Sequence, residues 1–208
     1  MLEAEETRKS GAAALDGAIA GAVGVVAMDL VAWPMYRGES RRARARERRA
    51  WVEGKWANHV AASKVARLFG IELCGKRQFI AGETVHYLMG IVPGMLYGVL
   101  RRRAPIVGTG RGLLYGFALY ALVDEIGAPL LGIASGPRKY PWQAHLRGLV
   151  SHLVMGGVTH AALDALERRR ARHGRRAMRA PAASEQREAP PRVSPYGIEQ
   201  RADQLGAT

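Results

Sequence analysis

Apolar runs alternate with charged ones along this chain, and four of the apolar runs reach about twenty residues, the length a helix needs to cross a bilayer. They cover about 15–33, 80–100, 112–133 and 149–166. Glycines recur in or beside them at helical spacing: Gly17 and Gly21, then Gly90, Gly94 and Gly98, then Gly148 and Gly156. Small residues four apart share one helix face and let a neighbouring backbone approach closely. The pattern predicts an all-α fold, an integral membrane bundle of about four transmembrane helices, with these glycines as the packing positions.

The charged connector between the first two runs, 37–78, has two halves. ESRRARARERRA is too cationic to enter lipid. In WVEGKWANHVAASKVARLFG, Val52, Trp56, Val60 and Leu68 recur near helical spacing, with Lys55, Lys64 and Arg67 elsewhere on the wheel. That predicts one amphipathic connector helix, lying on the membrane surface or packing on the ends of the bundle. Trp33, Pro34 and Tyr36 mark an interface and the end of the first helix, and Pro93 is expected to kink or loosen the second. Pro137, Tyr140, Pro141 and Trp142 mark a turn at the interface before the fourth run.

The expected organisation is a polar segment, 1–13, a bundle, 14–170, and a tail, 171–208, that begins basic and turns Pro/Ala/Glu-rich. Such a tail cannot bury enough apolar surface to fold and is expected to be disordered. MLEAEETRKS lacks a cationic n-region, so the first span is expected to remain as an uncleaved anchor.

Charge adds a partner. A formal net charge of +13 in 208 residues fits either nucleic acid or anionic headgroups. The arginines of 41–49, 101–103 and 168–176 lie outside or at the edges of the apolar runs, which favours a lipid bilayer with anionic headgroups over nucleic acid. No small-molecule substrate can be named, and a homo-oligomer stays open because four spans are few for a transporter. Cys74 is the only cysteine, so no internal disulfide forms.

Ionisable side chains within lipid cost about 3 kcal/mol each, which makes them the places to look for chemistry. Besides Asp29, they are Glu83, His86, Asp124, Glu125, His152, His160 and Asp164, taken as proton-titrating candidates because histidine titrates near neutrality. Glu83 and His86 are three apart and so neighbours on a helix; the spacing occurs in di-iron bundles, which also need carboxylates from other helices. It reads first as an interhelical polar contact at the headgroup edge, with a titrating pair as the alternative. Asp124 and Glu125 point about 100° apart and are not expected to share a partner. Either one is paired, protonated or set in a water-filled cavity, or a break at Gly127–Pro129 brings both to water. Gly148, His152, Gly156, His160 and Asp164 recur every fourth residue, a polar seam or a packing stripe.

No phosphate-binding loop, HExxH or Gly-x-Ser-x-Gly element is present, so no catalytic residue, metal ligand or cofactor is assigned and an enzyme is not expected. Three functions stay open. The seam senses or conducts protons, or the bundle is structural and its glycine groove takes a partner helix, or Glu83, His86, His152 and His160 hold a metal.

His86, Tyr97, Pro129 with Gly132, Pro141-Trp142 and Ser151-His152-Leu153 fall in order along 83–170. On these elements the segment resembles the YagU-like family of bacterial inner-membrane proteins, over a little under half the chain. Asp124 stands where histidine is expected in the relatives, and the connector has no counterpart. The resemblance implies a multi-pass inner-membrane protein with no established catalytic activity, and bears on location more than on function; from the His/carboxylate seam, a proton-linked membrane stress response is the expectation. Basic residues near the span ends divide evenly, about thirteen to a side. The resemblance and the arginines after the last span favour cytoplasmic termini; Arg41 to Arg49 oppose them.

Overall fold

A computed structural model describes the backbone of residues 2–188, with side chains from 4 to 173 other than Lys9 and Pro105. The helices are α1 (Leu2–Gly38), α2 (Arg41–Ala50), α3 (Ala57–Leu68), α4 (Gly75–Arg103), α5 (Leu113–Leu119), α6 (Ala128–Leu130) and α7 (Trp142–Glu188). A π-helical segment, Tyr120–Gly127, joins α5 to α6. Among the described residues there is no strand, and the fold is an all-α bundle. Four stretches are long and apolar enough to cross a membrane: Ala4–Gly38, Gly75–Arg103, Ile106–Leu130 and Trp142–His173. Each lies over one of the apolar runs.

Up to Glu167 the described residues form one compact unit, and from Arg168 a second. Within the second, the helical backbone of α7 continues through the arginines to Glu188, across positions where an unfolded tail was expected from 171 onward. The rest of that expectation, 189–208, lies outside the described residues.

The first unit is held by glycine. A Cβ on Gly17 would collide with the Gly94 carbonyl, and one on Gly21 with that of Gly90. α1 and α4 therefore run backbone against backbone. The groove of Gly90, Gly94 and Gly98, read from the sequence as a seat for a partner helix, is filled by α1 of the same chain. Gly24 meets Thr159 and Met155 of α7, so α1 touches two neighbours. α5 docks on α7 the same way: Gly112 and Gly116 meet the backbone of Gly156 and His152. Gly112 also has φ +89°, a left-handed conformation at which any side chain is strained.

Both prolines lie inside their helices, Pro34 against expectation. α1 does not end at Pro34 but runs on to Gly38, and α4 passes Pro93 unbroken. Each proline withdraws one backbone N–H, from Leu30 and Met89 respectively, and packing holds the helix over the gap. For α4 that packing is the glycine contact on both sides of Pro93; for α1 it is the stack of Trp33 on Tyr36, at 6.1 Å between ring centres, with Tyr36 against Trp56 at 5.5 Å.

The connector holds α3 where an amphipathic helix was expected, and α2 before it. Ser40 caps α2, its hydroxyl accepting from the Ala43 N–H at 3.1 Å. Val60 is buried against α4, whereas Leu68 is 83% exposed and Trp56 is only the residue before the helix. Between the two helices the Glu53 carboxylate accepts from Arg67 at 2.9 and 3.0 Å and from Lys55 at 3.1 Å. Those cations hold the Glu53 carboxyl far below its usual range, at about 2.

Candidate functional site

Where α1, α4, the π-helical segment and α7 meet, the small-residue packing leaves a cavity of about 70 Å³. Val25, Leu119 and Val123 give it apolar walls, and His86, Asp124 and His152 bring polar groups to it. Seventy cubic ångströms is room for a few waters, and the imidazoles and carboxylate supply the partners such waters need.

Two histidine–carboxylate contacts meet at this cavity. His86 Nε2 on α4 lies 2.9 Å from Asp29 Oδ1 on α1. His152 Nε2 on α7 lies 3.7 Å from Asp124 Oδ2, while its Nδ1–H donates to the Gly148 carbonyl at 2.9 Å. Each contact ties two helices together.

The remaining candidates go elsewhere. Glu83 does not face His86; it meets His59 Nε2 and Asn58 Nδ2 of α3, each at 3.4 Å. Glu125 accepts from His145 at 2.7 Å, so the adjacent acids Asp124 and Glu125 take different partners. There is no break at Gly127; the wide π turn carries both acids as helix residues. His160 and Asp164 belong to a second cluster, in which Tyr97 Oη meets His160 Nδ1 at 2.7 Å and Arg101 donates to Asp164 at 2.7 Å and Glu167 at 2.6 Å. Between the cavity and this cluster, Gly156 is pressed against Gly112 and Gly116. Glu83, His86, His152 and His160 therefore do not converge as a metal set, and among the described residues no three His, Cys, Asp or Glu side chains come together to hold a metal.

A third cluster escaped the sequence reading. Arg147 of α7, inside the bundle, donates to Glu47 of α2 at 2.6 Å and to Glu39, with its guanidinium 5.0 Å from the Tyr36 ring. Glu47 is 3% exposed, and burial pushes its carboxyl above the usual range although Arg147 pulls it down. Also missed were His59, His145, Tyr97, Arg101 and Asp16, which is 2% exposed within α1. For Arg147 and Asp16 a signal existed: a charge placed at the rim of an apolar run. For His59 and His145, which lie in polar segments, there was none.

No known protein family, no curated protein and no solved structure matches the chain.

Proposed function

We propose that this chain is a multi-pass protein of the bacterial inner membrane that responds to pH through histidine–carboxylate contacts between its helices. The observation that carries this reading is the pair of contacts, His86 with Asp29 and His152 with Asp124, beside one cavity. An imidazole facing a carboxylate is a neutral hydrogen-bonding partner at high pH and half of an ion pair at low pH. His86 and Asp124 also line this cavity together, so the two contacts are neighbours. Because each contact joins two helices, a change in its strength shifts their packing. The bacterial inner-membrane assignment rests on the resemblance of 83–170 to YagU-like proteins and on the four apolar helices.

Sensing is favoured over conduction. Gly156 packs against Gly112 and Gly116 between the cavity and the Tyr97–His160 cluster, and these glycines offer no side chain to relay a proton.

Cys74, exposed at the start of α4, provides the reporter. The protein is reconstituted in vesicles with a fluorophore on Cys74 and the signal followed from mildly alkaline to mildly acidic pH. The wild type should change sigmoidally, and His152→Asn and His86→Gln should flatten the curve while still inserting. An identical curve in both variants would sink the reading and leave a purely structural bundle, which the glycine contacts favour.

A further inference from the structure

The cavity carries a second chemistry beside its histidines. Three of the chain's seven methionines, Met28 on α1, Met89 on α4 and Met155 on α7, line it together with His86, Asp124 and His152. Methionine commonly fills irregular gaps in apolar cores. Here the thioethers surround a gap that stays open, and they share it with imidazoles.

Those imidazoles are already oriented. The Gly148 carbonyl can only accept, so His152 carries its proton on Nδ1 and keeps a lone pair on Nε2. The Asp29 carboxylate does the same for His86 through Nε2. A histidine whose one N–H is held by a carbonyl or carboxylate is the usual support behind a metal-binding nitrogen.

The donor set selects the ion. Neutral, polarisable thioethers bind Cu(I) and discriminate against hard divalent ions. A Zn(II) or di-iron site would need imidazoles and carboxylates in threes or more, and no such group exists among the described residues. Asp124 lines the same cavity and brings a carboxyl oxygen beside the sulfurs. Met89 is 44% exposed and Met155 only 2%, so the sulfur-bearing side chains run from the edge of the protein to its core.

We propose that the cavity binds Cu(I) through the thioethers of Met28, Met89 and Met155 and the Nε2 of His152. This goes beyond the pH reading: it stands on the sulfur ligands and not on any titration, so either can fail alone.

The full chain, purified in detergent, is titrated anaerobically with Cu(I) against a chromophoric Cu(I) chelator at a fixed neutral pH, with Zn(II) run in parallel. Wild type should retain stoichiometric Cu(I) and no Zn(II). Met28→Leu combined with Met155→Leu, which conserves side-chain volume, should weaken retention by about tenfold or more. Should the pair fail to give wild-type helical content, the single variants are read instead, each expected to weaken retention. Cys74→Ser should bind as wild type does. Release of all copper to the chelator by the wild type, unchanged retention in the methionine variants, or loss of binding in Cys74→Ser would each overturn the site.

Discussion

Asp29 and His86, fifty-seven positions apart in the chain, meet at 2.9 Å because the glycine faces of α1 and α4 bring the two backbones into contact below them. A hydrogen bond between helices in a membrane contributes on average about 0.6 kcal/mol and up to about 2. A double-mutant cycle of Asp29→Ala and His86→Ala, read by unfolding in detergent micelles, should return a coupling in that range. Additive losses would mean that the two side chains do not interact.

The glycine contacts themselves should matter more. Gly94→Leu forces a side chain into the backbone of Gly17 and Gly21, and the expected cost is about 3 kcal/mol or more, with loss of the folded species on a detergent column. Gly11→Leu on α1, where nothing lies within 4 Å, should behave as wild type.

Arg147 neutralises two buried acids, so Arg147→Met should destabilise by about 3–5 kcal/mol, the penalty for stranding their charge. Acid should partly rescue the variant. Burial has raised the folded-state pKa of Glu47 above its unfolded value, so its contribution is fullest below the unfolded value and is lost as pH rises through the folded one. Without Arg147 the folded-state value rises further, and stability should climb as pH drops through the mildly acidic range. A melting temperature that falls with pH over that range would contradict this.

Glu53 works with the opposite sign. Its folded-state pKa is depressed to about 2, so what it contributes is present above the ordinary carboxyl value of 4.5 and disappears as pH falls towards 2. Lying at the surface, the group is also screened by salt. Glu53→Gln should raise hydrogen exchange in the turn between α2 and α3 at neutral pH and low ionic strength, and the difference from wild type should vanish in high salt. Equal exchange in dilute buffer would show that the Arg67 and Lys55 contacts do not order the turn.

The sequence made the helix faces legible and the long-range partners illegible. Gly17, Gly21, Gly90 and Gly94 could be read because packing glycines repeat with the period of the helix itself. Which groove met which could not, and the α4 face assigned to an outside partner turned out to hold α1. Glu83 and His86 looked like a pair because they are adjacent on one helix, yet a slight angular offset sends one to α3 and the other to α1. The triad of Arg147, Glu39 and Glu47 spans separations of 108 and 100 residues, and no local periodicity encodes such a contact. The separate destinations of Asp124 and Glu125 did follow from helix geometry alone.

Those two neighbours reach histidines seven positions apart on α7, a rise of about 10 Å, from within the π-helical segment Tyr120–Gly127. A π turn contains one residue more than an α turn covering the same arc. This stretch thus carries more residues than an α-helix of the same arc would hold. A relative that had dispensed with either acidic contact would differ here by a one-residue gap, with everything on the far side of it turned by about 100°. Divergence at this helix would be written in insertions and deletions before it was written in substitutions.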